Sequence, residues 1–506
     1  MDSLMTKRSR YTCLPVVQPC GKAVLILAVL YLGFSASMFG QSMAGLAALN
    51  GTVRDPSGAV LAGAKVSVVN SALGIGRALL SNDDGYFFAP SLPPASNYQV
   101  TVEKAGFSRF VVQSIQLTVG QNLSIPVQMT VAAQSETVTV TGSAPLVEET
   151  KTGISGVVDS LQIVNLPING RRVDQFALLT PGVTTDGASG GVSFRGVPGG
   201  NSFLQDGNDV TQQWGLDIAG GAVVPSSISQ DAVQEFQVQT SGYSAEFGRA
   251  VGGVINTVTK SGTNNIHGSA FWYFRNRTLN AQDPYSKDAS GKLFNPPEYR
   301  HQAGATVGGP IIKDKLFFFG SGEVTRRNFP LVDTINNAQF YSPSGAYVGQ
   351  CGASAVPTPG TPASAAQCAA AQAYFQRFFQ TVPRSLSQNL GLGKIDWRPN
   401  EKNTVSASFN LLNFTSPNGA ISSVTANASG VGSNGIQSAK TRNARISDTY
   451  IFSGSMVNEA RFGWFKDRRG QDISPALTPP NGLLSGLTVQ GQGSLGVSTN
   501  IPNIQP

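Results

Sequence analysis

Residues 403–414 read NTVSASFNLLNF, and within them Val405, Ala407, Phe409 and Leu411 alternate with Thr404, Ser406, Ser408 and Asn410. A two-residue repeat sends successive side chains to opposite faces of an extended strand, so the segment makes a ribbon with one apolar and one polar face. The pattern returns in HGSAFWYFRN (267–276), HQAGATVGGP (301–310), DKLFFFGSGEVTRRN (314–328) and NEARFGWFKDRR (458–469). Each strand alone also fits a soluble sandwich. The short turn Asn400-Glu401-Lys402, alternating with the long insert 328–388, favours an outer-membrane-type barrel, which has short turns at one end and long loops at the other. On this reading Trp272, Tyr273, Phe317, Phe319, Phe462 and Trp464 are expected on the lipid face and its girdles.

The rest of the chain narrows the choice. After a basic start (MTKRSR, then Lys22), the uncharged run AVLILAVLYLGFSASMFG leads to Ser42-Met43-Ala44, the layout of a cleaved secretory signal over residues 1–44. An uncleaved anchor is the rival, since ~17 apolar residues just span a bilayer. No other stretch reaches that length, which excludes a helical membrane protein and leaves a β-barrel open. Lys7, Arg8, Arg10 and Lys22 against Asp2 contribute +3 of the net +7, and the remaining +4 gives no case for nucleic acid. Cys13 and Cys20 precede the apolar run, leaving Cys351 and Cys368 as a candidate disulfide in an oxidising compartment. The two histidines, His267 and His301, stand near no cysteine or carboxylate cluster, so neither a metal nor a cofactor is expected.

Three modules precede or accompany the strands. From about Leu49 to Met129, NGTVRDPSGAVLAGAKVSVVN gives strand, turn and strand, with Asp55-Pro56-Ser57-Gly58 as the turn; SNDDGYFFAP turns at Asp84-Gly85. In NYQVTVEKAGF, Tyr98, Val100 and Val102 alternate with Gln99, Thr101 and Glu103, which predicts one buried face in a small antiparallel sandwich. Asp83 and Asp84 read as a polar hairpin turn, since their spacing and number do not make a calcium loop. The order of these motifs resembles the carboxypeptidase regulatory-like domain, which implies a transthyretin-like, carbohydrate-binding-like β-sandwich over residues 45–130.

A polar linker, 131–148, follows. Its centre, Glu136, Thr137, Val138, Thr139, Val140 and Thr141, alternates valine with threonine and suits edge-on pairing with another protein's sheet. It is similar to the TonB box of TonB-dependent outer-membrane receptors. LQIVNLPINGRRVDQFALLTPGV, VSFRGVPGGNSFLQDGNDV and DAVQEFQVQTSGYSAEFGRAVGGVINTVTKSG then come in the order found in the plug domain of that family. The resemblance implies an α+β plug over 149–263. In it Phe194-Arg195-Gly196 forms a strand and Asp206-Gly207 a hairpin turn, and Val233-Gln234-Glu235-Phe236 introduces the last strands. Gly248, Gly252 and Gly253 are expected to allow close approach and left-handed turns before a strand containing Val254, Ile255 and Asn256.

Over residues 49–475 the chain resembles Oar-like TonB-dependent receptors, so the expected class is mainly β, with a sandwich, a plug and then, over 264–506, part of an antiparallel transmembrane β-barrel. About seven candidate strands follow the plug, whereas plugged transporters need ~22 to close, so the expectation is an incomplete barrel, in a sequence that is either the N-terminal part of a longer one or a truncated copy unable to transport. The resemblance implies an outer-membrane receptor that takes up an unidentified ligand, with TonB in the periplasm, outer-membrane lipid and a carbohydrate or other small ligand as partners. No nucleophile with a base, metal cluster or phosphate-cradling loop stands in the sequence. GVPGGNS lacks the lysine of a P-loop, so no enzyme is expected. A secreted carbohydrate-binding or adhesive protein, or a surface-assembly protein without uptake, remains open as the alternative.

Overall fold

The computed structural model describes residues 45–131, 137–141, 154–185, 191–198, 200–211, 227–243, 247–248, 250–282, 297–330, 383–417, 436–453 and 456–472, with isolated positions between 284 and 295. The expected signal peptide, Glu136, Cys351 and Cys368 lie outside these residues.

The first module is a sandwich of two sheets. Strands β1 (Ala47–Arg54), β4 (Tyr86–Leu92), β7 (Asn122–Ser124) and β8 (Val127–Gln128) form one; β2 (Lys65–Asn70), β3 (Ile75–Leu80), β5 (Ala95–Glu103), β6 (Arg109–Leu117) and β9 (Thr137–Thr141) form the other, in the order β3-β2-β5-β6-β9. Their inner faces enclose Leu49, Val66, Val68, Phe87, Tyr98, Val100, Val102 and Leu117. The alternation read in β5 therefore sets its buried face, and the Tyr98 hydroxyl is satisfied by the Pro93 carbonyl at 2.7 Å. Asp55 Oδ1 organises its turn by accepting from the Ser57 and Ala59 amides, each at 2.9 Å. In the next turn it is Asn82 that accepts, from the Asp84 and Tyr86 amides, while Asp83 and Asp84 are exposed.

Two features differ from the expected antiparallel sandwich. Strands β7 and β8 run parallel to β1, because after β6 the chain crosses from one sheet to the other instead of turning back in a hairpin. The linker strand β9 is also parallel, laid along the edge of β6 from Arg109 to Gln113.

The central module begins with β10 (Ile154–Val158) and helix α1 (Ser160–Asn165), whose amphipathic start carries a reciprocal cap between Asp159 and Gln162. It continues through β11 (Val183–Thr185), β12 (Val192–Phe194), β13 (Val197–Pro198), β14 (Ser202–Gln205), β15 (Asn208–Asp209), β16 (Val233–Ser241) and β17 (Val254–Thr259). Five strands form a sheet in the order β10-β16-β17-β14-β15 and three make a small meander, β11-β12-β13. Phe176, Phe194, Phe236, Val238 and Ile255 fill the core between them.

The last described part is a seven-stranded antiparallel meander: β18 (His267–Asn276), β19 (Tyr299–Ile312), β20 (Leu316–Asn328), β21 (Ser385–Asn400), β22 (Asn403–Ser416), β23 (Ile436–Ser453) and β24 (Met456–Asp472). Among the described residues β18 and β24 do not pair with each other, so this wall is open. Its connections alternate as expected, spanning 313–315, 401–402 and 454–455 at one end, and 277–298, 329–384 and 417–435 at the other.

Register fixes the faces of the wall. Ser406, Ser408 and Asn410 stand opposite Asp396, Lys394 and Leu392, all on the inner side, while Val405, Ala407, Phe409 and Leu411 point outward. Trp272, Phe462 and Trp464 are exposed on the outer face, as expected. Tyr273, Phe317 and Phe319 are corrections. Phe317 and Phe319 stand opposite Asp396 and Lys394 and are 0% and 2% exposed, and Tyr273 stands opposite inward-facing Gln302. Phe319 and Leu392 belong to the central module's apolar core, which explains why aromatics occupy the inner face here.

Candidate functional site: the central module against the strand wall

The inner face of the wall presents Gln302, Glu323, Lys394, Asp396, Arg398, Asn410, Asn443 and Arg445, polar groups that an empty lumen would leave wet. All but Lys394 are nearly fully buried. Burial of so many polar groups is tolerated only where partners satisfy them, and the central module supplies many of those partners.

The strongest contact is at the hairpin between β14 and β15. Asp206 and Gly207 have φ of 46° and 76° and form a two-residue hairpin turn with both central residues left-handed, at the place where the resemblance implied a hairpin turn. Asp206 Oδ1 accepts from the Thr259 amide at 2.7 Å, and Oδ2 accepts from the Thr259 hydroxyl at 2.8 Å and pairs with the Arg445 guanidinium at 3.0 Å. Arg445 also donates to the Gln205 carbonyl and to Ser408 Oγ, so one side chain of the wall grips both backbone and side chain of the hairpin. Burial pushes the Asp206 carboxyl up, but Arg445, Lys394 and the Thr259 hydrogen bonds outweigh it and hold the group below the usual carboxylate range.

Two further contacts hold the module. Glu323 accepts from Ser229 Oγ and from Gln302 Nε2, both at 2.6 Å. Arg171 pairs with Asp231 at 2.5 Å and lies 4.1 Å over the Phe271 ring and 5.1 Å over that of Tyr273, which accounts for the inward tyrosine.

The sandwich closes on the short-turn end of the wall. Asn264 donates its amide to Ala72 O at 2.7 Å and its side chain to Ser71 O at 2.8 Å, while Arg398 donates to Leu73 O. A second clasp holds Val119: its amide donates to Glu235 Oε2 at 2.7 Å and its carbonyl accepts from Gln237 Nε2 at 3.3 Å. Gly120 makes room, since a Cβ there would lie 2.4 Å from Gln237 Nε2. A cavity of 490 Å³ lies where the three modules meet, with Arg77, Lys394, Arg398 and Asp396 in its wall.

Burial raises Glu235 from 4.5 to about 7, with the Val119 amide opposing the shift. A raised carboxyl means that the clasped state holds the proton more tightly than the free state. The clasp is therefore strongest below about pH 4.5, weakens as pH climbs to about 7, and changes little beyond. Amide exchange at Val119, corrected for its intrinsic pH dependence, is expected to lose on the order of 3 kcal/mol of protection across that window. In Glu235→Gln the protection should stay flat; an equally steep profile in that variant would assign the effect to another group.

The remaining predicted residues fall as follows. Phe194 ends a strand and is fully buried, but Arg195 and Gly196 form a two-residue hairpin turn with φ of 52° and 77°, not a continuing strand. None of Gly248, Gly252 and Gly253 is left-handed. Gly253 instead lies under the Phe194 ring, where a Cβ would meet carbon at 2.4 Å; the Gly252 amide donates to Gly200 O; Gly248 faces open space. Val254, Ile255 and Asn256 lie in β17, and Asn256 Oδ1 accepts from the Gly207 amide at 3.2 Å. Sequence reading missed Arg445, Glu323 and Lys394. Their signal was present as charge on the inward parity of their strands, beside other charges on both faces.

Comparison with known proteins agrees with this architecture. Residues 258–506 match the family model described as outer membrane beta barrel domain, and residues 48–130 match the carboxypeptidase regulatory-like domain. The chain thus carries a segment that matches an outer-membrane β-barrel domain and, N-terminal to it, one that matches a regulatory-like sandwich. It is similar to the TonB-dependent transporter Oar of Myxococcus xanthus, at 30% identity over 271 residues, which cover 51% of this chain and 25% of that protein. The chain accordingly spans about a quarter of the length of this curated relative. Among solved structures it is similar to the outer membrane transporter YddB of Escherichia coli (13% identity, TM-score 0.39, 63% of this chain and 39% of that one). It is also similar to the siderophore receptor PirA of Pseudomonas aeruginosa (14% identity, TM-score 0.39, 63% and 42%). The expected resemblance to Oar-like receptors is borne out by the match to Oar.

Proposed function

We propose that the chain works as a TonB-dependent receptor or transporter in which the central module is the plug and its displacement from the strand wall opens a path for a ligand. The observation that supports this most directly is the grip of Arg445 on the hairpin at Asp206, a buried charge contact between lumen filler and wall. Parting such a buried pair is costly, about 3–5 kcal/mol, so displacement of the module requires work at this contact. The ligand would enter from the loop end, and the sandwich and cavity at the opposite end would lie on its exit route.

Strand β9 is the proposed TonB box. Its five residues are paired through their backbone with β6, so β9 has to leave that edge or offer its other edge before it can join TonB. Val138→Pro removes a backbone donor and is expected to abolish binding of the isolated TonB C-terminal domain to the full chain, read by calorimetry. Unchanged affinity would remove β9 from the mechanism. For the plug, Ser229→Cys with Glu323→Cys, joined by a short bis-methanethiosulfonate crosslinker, should block displacement of the module, measured as loss of ligand passage restored by reductant.

A further inference from the structure

The outer face of the wall carries a feature that plug, box and cavity leave unused. On β23 and β24, Lys440 stands directly opposite Arg468, and Arg442 directly opposite Lys466. Lys440, Lys466 and Arg468 are exposed and Arg442 is half-buried. All four share the outward parity of Phe462 and Trp464. Like charges placed opposite one another across a strand pair repel, and the outward-parity carboxylate nearest to them along β24, Asp472, stands two outward positions beyond Arg468, opposite Ile436. Asp467 faces inward, committed to the Thr441 hydroxyl at 2.6 Å and to Arg469 at 2.8 Å, and Asp448 lies farther along β23, opposite Ala460.

The cations continue an ordered belt. Arg442 donates to the Leu412 and Thr441 carbonyls and, at 2.9 Å, to Asn413 Oδ1. Arg326 repeats the arrangement with the Gln388 and Thr325 carbonyls and with Asn389 Oδ1, also at 2.9 Å. Asn389 and Asn413 are themselves direct cross-strand partners. Two guanidinium groups are thus held by carbonyls and an asparagine across four adjacent strands at one level. That level borders the apolar surface, with Leu411 opposite Arg442 and Trp464 one outward position before Lys466. It lies toward the long-connection end, where β23 enters from residues 417–435, the side that outer-membrane barrels turn outward.

We propose that this belt binds the phosphate groups of a lipid headgroup in the outer leaflet, fixing the barrel's depth and seating the lipid against β22–β24. Its position at the rim of the apolar face puts the cations at headgroup level, and exposed Lys440, Lys466 and Arg468 beside two anchored guanidinium groups offer donors to phosphate oxygens.

The test uses the full chain in neutral maltoside micelles, titrated with phosphatidic acid or with phosphatidylcholine of the same acyl chains, bound lipid being counted by native mass spectrometry. Saturable binding of phosphatidic acid well above phosphatidylcholine is expected, and Lys440→Gln with Lys466→Gln and Arg468→Gln should weaken it about a hundredfold. The charge-keeping set Lys440→Arg, Lys466→Arg and Arg468→Lys should bind within about threefold of the wild type, which separates lost charge from lost folding. Equal binding of the two lipids, wild-type affinity in the charge-free variant, or displacement of the lipid by an equal concentration of inorganic phosphate would each overturn the proposal.

Discussion

Replacing Arg445 with methionine is expected to loosen the central module from the wall by about 3–5 kcal/mol, the cost of leaving a buried partner charge uncompensated. Arg445 is 4% exposed and is the group that makes Asp206, Gln205 and Ser408 one unit, so its loss strands the Asp206 carboxylate among groups chosen for a cation nearby. Hydrogen exchange should show the change first in β14 and β15, ahead of the sandwich. Asp206→Asn alone should cost a comparable amount, because it keeps an acceptor for the Thr259 amide but turns an amide NH2 toward the Thr259 hydroxyl and leaves the buried Arg445 cation unpaired. The double variant should fall short of the sum of the two, with a coupling of roughly 0.5–3 kcal/mol. Strict additivity would mean that the two side chains act independently. The carboxyl at 206 is held low, so this contact is present at neutral pH and is lost as pH falls through the acid range, opposite in sign to the Glu235 clasp.

The second large effect concerns the glycines that lead from the central module into the wall. Gly262→Ala would put a Cβ 2.3 Å from the Phe318 carbonyl oxygen and 2.7 Å from that of Gly309. Both are backbone atoms of β20 and β19, so no rotamer change relieves the contact, and a loss of about 3 kcal/mol or more is expected, seen as a lowered thermal midpoint of the whole chain. Gly253→Ala strikes the Phe194 ring at 2.4 Å, a neighbour that can tilt, and should cost less. Gly248→Ala meets nothing within 4 Å and should be near neutral. If all three variants behaved alike, local flexibility rather than close packing would explain this glycine-rich stretch.

These residues also show where sequence reading succeeds and where it stops. The inward and outward faces of β22 follow from period two alone, because every second residue is committed to one side. Asp206-Gly207 is legible as a turn because few other dipeptides accept two left-handed residues in succession. Arg195-Gly196 has the same geometry, yet arginine gives no such signal. In KLFFFGS three aromatics in a row erase the alternation, so nothing local reveals that Phe317 and Phe319 face inward; Phe319 owes its place to the apolar core of another module. The Arg445–Asp206 contact is harder still. Each residue is an ordinary charge in its own segment, and only the accumulated register of β21, β22 and β23 brings the two together.

The parallel docking of β9 on β6 sets a toll on recognition. A sheet edge seats one guest, so a binder that needs the freed strand meets only the undocked fraction, and its apparent Kd is the intrinsic Kd divided by that fraction. If docking is favoured by about 1.4 kcal/mol, one molecule in roughly ten is ready and affinity drops about tenfold. The sandwich would then act as a rheostat: substitutions along β6, far from any partner, would retune how readily the chain is engaged without altering a single residue of the segment that is bound.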